Sequence, residues 1–110
     1  MIQIDDKHIL MIEPSSAPTA PVVDDITRKM SAAWRGRVTG RIAYRGWHDC
    51  TGVGCTASSD NRDHDVRGLE TNSLCIHYVA RHRADVPQSM LDTIVGWDVA
   101  GVEPTVEEIG

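Results

Sequence analysis

The sequence predicts a small α+β domain with a short β-hairpin or sheet, two or three helices and a metal staple. Three observations carry that prediction. Val22, Ile26, Met30 and Trp34 recur every four residues, the spacing of one helix face. Residues 37–48 offer Val38, Ile42, Tyr44 and Trp47 for burial around Gly40 and Gly46, the pattern of a strand or two with a bend. Finally, Cys50-x4-Cys55 is followed after 21 residues by His77-x4-His82, two close pairs of soft metal donors.

Taken in order, Ile2 and Ile4, then Ile9, Leu10, Met11 and Ile12, predict a short strand or hairpin within residues 1–12. EPSSAPTAP, with three prolines in nine residues, is a turn or linker, so residues 1–20 read as a strand plus a Pro-rich linker. Pro21 opens a helix to about Trp34; Asp24 and Asp25 suit its positive N-terminal end and Gly36 stops it. CTGVGC is a turn, and SSDNRDHDVRG is irregular or a small hairpin turning near Arg67-Gly68. Thr71 or Asn72 caps a helix over about 73–83. Pro87 opens a last helix, 87–95, with Met90, Leu91, Ile94 and Val95 on one face and Gly96 at its end. Residues 98–110 read as an extended or frayed acidic tail, leaving 21–97 as the core of a single domain, 1–110.

A chain of 110 residues can bury one core. With aromatics at 5% and no Phe that core is modest, which is why a staple matters. No apolar run approaches the ~20 residues of a membrane span, and MIQIDDKHIL lacks the basic region and apolar core of a signal peptide. A cytoplasmic location is the expectation. Three cysteines, an odd number, fit reduced, metal-binding thiols better than a disulfide framework.

The net charge of −5 hides a segregation. Acids dominate residues 1–25 and 98–110, whereas residues 26–48 hold Arg28, Lys29, Arg35, Arg37, Arg41 and Arg45 with no acid. Such a basic strip either meets a polyanion or pairs with the chain's own acidic ends. The second reading is favoured, because the molecule as a whole repels nucleic acid.

Geometry tests the metal site. Cys50 and Cys55 converge if Thr-Gly-Val-Gly forms a tight loop. His77 and His82 lie about 140° apart on an ideal helix, so they converge only if the helix tightens or ends at His82. The approach of Asp85-Val86-Pro87 predicts such an ending. Cys75 competes as a ligand but points away from His77 and reads as a small core residue beside Tyr78 and Val79. His48, two residues before Cys50, replaces a ligand if the loop folds differently. Asp49 and Asp60 are candidate partners for the ligating histidines.

Over residues 50–82 the pattern resembles Cys2His2 zinc modules, which implies a structural zinc bound by Cys50, Cys55, His77 and His82. DNA-binding fingers place the cysteine pair about 12 residues before the histidine pair. The 21-residue gap here, and the missing apolar residues between the pairs, leave DNA reading out of that implication. The order Asp63-His64, Asn72, His82 resembles the His-Asn-His order of HNH nucleases, which implies a water-activating His64 and a cation on His82. DNRDHD is no EF-hand loop, since Val66 stands where Gly is needed and Asn72 where Glu is needed.

The function these readings favour is a small, zinc-stabilised, non-enzymatic binding or regulatory module acting through protein contacts, its acidic ends choosing a basic partner. Nucleic-acid binding through residues 28–47, with Arg35, Arg37, Arg41 and Arg45 as contacts, is the alternative. An HNH-like metal-dependent nuclease is the second.

Overall fold

A computed structural model describes residues 9–10, 12–42, 49–58 and 62–110. Their elements run β1 (Ile9–Leu10), α1 (Asp25–Arg35), β2 (Val38–Ile42), β3 (Arg62–Val66), β4 (Leu69–Thr71), α2 (Cys75–Arg81), a 3-10 turn (Arg83–Asp85), α3 (Gln88–Val95) and α4 (Val106–Ile109). The expected α+β class is the class observed. The strands form one sheet in the order β1-β4-β3-β2, parallel between β1 and β4 and antiparallel elsewhere.

Strand alternation sorts the sheet into two faces. Leu10, His64, Val66, Leu69 and Thr71 are buried, whereas Asp65 and Glu70 are exposed. Val38, expected in the core, pairs with Asp65 and is 67% exposed, because that register puts it on the outer face. The polar stretch before α2 takes the hairpin form, with Arg67 and Gly68 at φ 52° and 88° in the β3–β4 turn. Such paired positive φ values are those of a tight hairpin turn.

Helix α1 starts later than Pro21. Asp24 is its N-cap, accepting the Thr27 N–H at 3.2 Å, and residues 21–23 stay outside the helix. Its stripe holds in part: Met30 and Trp34 are buried, whereas Ile26 is half-buried and Val22, outside the helix, is 39% exposed. Helix α3 matches its expected span, with Pro87 and Gly96 at its ends. Helix α2 is shorter than 73–83, and its residues Cys75 to Ala80 are all buried. A helix buried on every side is a core element. Asn72 leads into it, its side-chain oxygen accepting the Leu74 N–H at 2.9 Å.

Around α2 the rest of the chain is arranged. The Pro-rich linker runs along its C-terminal end: Thr19 N–H and Val22 N–H donate to the carbonyls of Arg81 (3.0 Å) and Ala80 (2.8 Å). Arg83 Nε takes the Val79 carbonyl at 2.8 Å. These bonds satisfy carbonyls that any helix end leaves open, so α2 can stop inside the protein. The segment expected as a frayed tail ends in α4, closed by a capping box of Thr105 and Glu108. Helix α4 packs on α2.

Candidate metal centre

The cysteine pair sits on a small β-turn. Asp49 and Ser58 form an antiparallel bridge, Cys50 N–H donates to the Ala57 carbonyl at 2.8 Å, and Cys55 N–H turns back onto Gly52 O at 3.0 Å. The linker holds this loop from outside, since Thr51 Oγ1 donates to the Pro14 carbonyl at 2.7 Å. Gly52 fits between linker and site: a Cβ there would lie 2.6 Å from Ser16 O and 2.7 Å from His82 Cε1.

The histidine pair comes from the end of α2. His77 stands inside the helix, and His82 is its C-cap at φ −129°, ψ 38°, where the chain leaves helical geometry. That departure removes the 140° obstacle of an ideal helix and turns the two rings together, with centroids 5.0 Å apart. The two pairs then meet. Cys50 Sγ lies 3.3 Å from His82 Nε2, and Cys55 Sγ lies 3.2 Å from His77 Nε2. All four donor atoms lie within 4.8 Å of one another. Ligands at 2.0–2.3 Å on a tetrahedral ion stand about 3.3–3.8 Å apart, so the cluster needs only a small contraction to close on one ion. This is a Cys2His2-type metal site.

The electrostatics suit a cation. Burial holds both imidazoles below their usual pKa, so the neutral, ligating form prevails at neutral pH. Burial also pushes the Cys50 thiol up, and the adjacent Cys55 adds to this. A cation is what allows two neighbouring sulfurs in this setting to lose their protons together. His77 Nδ1 is 2.8 Å from the Ile109 carbonyl. A carbonyl only accepts, so Nδ1 carries the hydrogen and Nε2 presents its lone pair to the cluster.

That Ile109 contact escaped the sequence reading, which looked to Asp49 and Asp60 instead. Asp49 is exposed, and Asp60 lies outside the described residues. The legible signal was Thr105-x-x-Glu108, a capping-box spacing that marks a helix start in the supposed tail. Cys75 is buried in the core with Tyr78 and Val79, and His48 lies outside the described residues.

The other candidate residues are dispersed. Arg35 Nη2 donates to the Glu103 carbonyl at 2.8 Å and lies 3.5 Å from the Glu108 carboxylate. The Arg37 guanidinium stacks 4.2 Å over the Trp34 ring. Arg41 belongs to β2, and Arg45, Tyr44 and Trp47 lie outside the described residues. His64 is 3% exposed and meets Trp34 edge-on at 4.8 Å. It is buried because the β3 register turns it to the helix side of the sheet. Among the described residues, no helix is long and apolar enough to cross a membrane.

Comparison with protein families, with characterised proteins and with solved structures finds no match to this chain. The class of the site therefore rests on its own geometry.

Proposed function

We propose that this protein is a small, zinc-stabilised, non-enzymatic module that works by holding a surface in shape for a protein partner. The observation that carries the reading is the convergence of Cys50, Cys55, His77 and His82 within 4.8 Å. Two thiolates and two imidazoles are a borderline-soft donor set that suits zinc in a closed, four-coordinate, structural site. Cys50, His77 and His82 are buried and Cys55 is half-buried, which supports a metal that staples and leaves no position for substrate. Free thiols of this kind belong in a reducing compartment, for which we take the cytoplasm.

A protein partner is favoured over nucleic acid because two arginines of the basic strip, Arg28 and Arg35, are already matched internally. Arg28 pairs with Glu103 at 2.7 Å, and Arg35 is held by Glu103 and Glu108. The acidic surplus outside those pairs suits a basic partner.

The test is metal content of protein purified without added metal, with circular dichroism before and after chelation. One zinc per chain and loss of structure on chelation is the expected result, since binding and folding share one free energy in such sites. Folded, zinc-free protein with two free thiols at positions 50 and 55 overturns the reading. Binding to nucleic acid that weakens steeply with salt would turn the choice of partner the other way.

A further inference from the structure

The cluster is tied to the basic face of α1 by the segment 101–110. We propose that this segment is a strap that sets the metal affinity of the site, with Glu108 as the positioning residue that holds it. The inference rests on the metal reading above.

The strap is anchored at both ends. Val102 N–H donates to the Arg28 carbonyl at 3.1 Å, and Arg28 Nε donates to Glu103 at 2.7 Å. Further along, Glu108 is only 17% exposed in its side chain. Its Oε1 accepts from the Thr105 N–H at 2.7 Å and from Ser31 Oγ at 3.3 Å, beside Arg35 at 3.5 Å. One carboxylate thus closes the turn of α4 and fastens it to α1. The next residue, Ile109, offers its carbonyl to His77 Nδ1 at 2.8 Å. Gly110 lies against the same ring, where a Cβ would come within 2.7 Å of Nδ1, at a φ of 84°.

The chemistry makes the two ends interdependent. The carbonyl fixes the hydrogen on Nδ1 and aims Nε2 at Cys55. A cation on Nε2 withdraws charge from the ring and makes Nδ1–H a stronger donor, so metal tightens strap. Coupling between two binding events is reciprocal, so strap tightens metal.

Zinc dissociation constants, by chelator competition, test this in the full chain. Glu108→Ala should weaken zinc at least about tenfold, the range typical when a ligand loses its hydrogen-bonding partner. Glu108→Gln, which keeps an acceptor for Thr105 and Ser31, should recover most of the loss. Glu107→Ala removes the same charge from an exposed position of the same helix and should leave affinity unchanged. Gly110→Ala should weaken zinc as Glu108→Ala does, and it decides alone if Glu108→Ala fails to fold. In zinc-loaded protein the His77 Nδ1–H should be protected from solvent exchange in the wild type and unprotected in Glu108→Ala. A general loss of stability would not single out His77 from His82. Wild-type affinity in both Glu108→Ala and Gly110→Ala overturns the strap while leaving the metal reading in place. A wild-type chain that takes up no zinc overturns both.

Discussion

Single side chains decide whether this site can form. Gly52 is the tightest case, since the alanine methyl would meet a backbone oxygen on one side and the His82 ring on the other. The linker is held on either side of Ser16, by the Thr51–Pro14 and Thr19–Arg81 bonds, so the imidazole has to give way. Gly52→Ala should therefore cost about 1–3 kcal/mol, in the range of overpacking elsewhere, and weaken zinc in the same titration. Wild-type affinity in that variant would show that the linker yields instead. Asp24 acts one residue along from the site, through Arg83. Arg83 grips both of its oxygens, at 2.7 and 2.9 Å, and with the Thr27 N–H holds the carboxyl at about 2, below its ordinary 3.8. Stability from a lowered carboxyl pKa is complete above the unfolded value and is lost as pH falls through the folded one. Asp24→Asn should thus be destabilised by a constant amount from pH 8 down to about 5, with the gap closing only between 3.8 and about 2. The side chain is 45% exposed, so solvent screening limits the ion pair and the loss should be on the order of 1 kcal/mol. Denaturant melts of both proteins across pH measure it; a gap that shrinks already at pH 6 would point to another group.

At the scale of elements, two helices carry the architecture for different reasons. Helix α1 is amphipathic and contributes one face, on which Met30 is fully buried among the core residues. Met30→Ala should cost about 2–5 kcal/mol, read as a lower denaturation midpoint in zinc-loaded protein. A cost below 1 kcal/mol would mean that the α1 stripe packs loosely. Helix α2 has no polar face, so its ends had to be satisfied by other parts of the chain, and the linker does this at Ala80 and Arg81. The period of α1 was legible in the sequence because an amphipathic stripe follows from local geometry alone. Its first turn was not, because Pro21 and Asp24 both suit a helix start. Asp24 won through its partners Arg83 and Thr27, the first of them 59 residues away.

For the molecule as a whole, metal, linker and strap converge on one end of α2. Loop 49–58 brings two sulfurs, the helix brings two nitrogens, residues 14–22 brace the loop and the helix end, and α4 fixes His77 from behind. Removing the ion should therefore be felt across the fold and not only at the loop, which is what a chelation melt reads. The charge segregation has the same outcome. Two of the six residues of its basic strip, Arg28 and Arg35, meet the chain's own acids at Glu103 and Glu108.

The four metal donors, the α+β class, α3 and the Arg67-Gly68 turn could all be read from residue types and spacing. Each expresses a local rule: donor chemistry, helix and strand period, or turn conformation. Three things could be settled only by the tertiary structure. Val38 faces solvent and His64 the core because strand register, a pairing between distant segments, chooses the face. The end of α2 at His82 was legible from the nearby Pro87, but what closes it was not: a linker more than fifty residues earlier takes its carbonyls. The Ile109 carbonyl reaches His77 because an acidic segment finds arginines on α1, a long-range match of charge that no local spacing records.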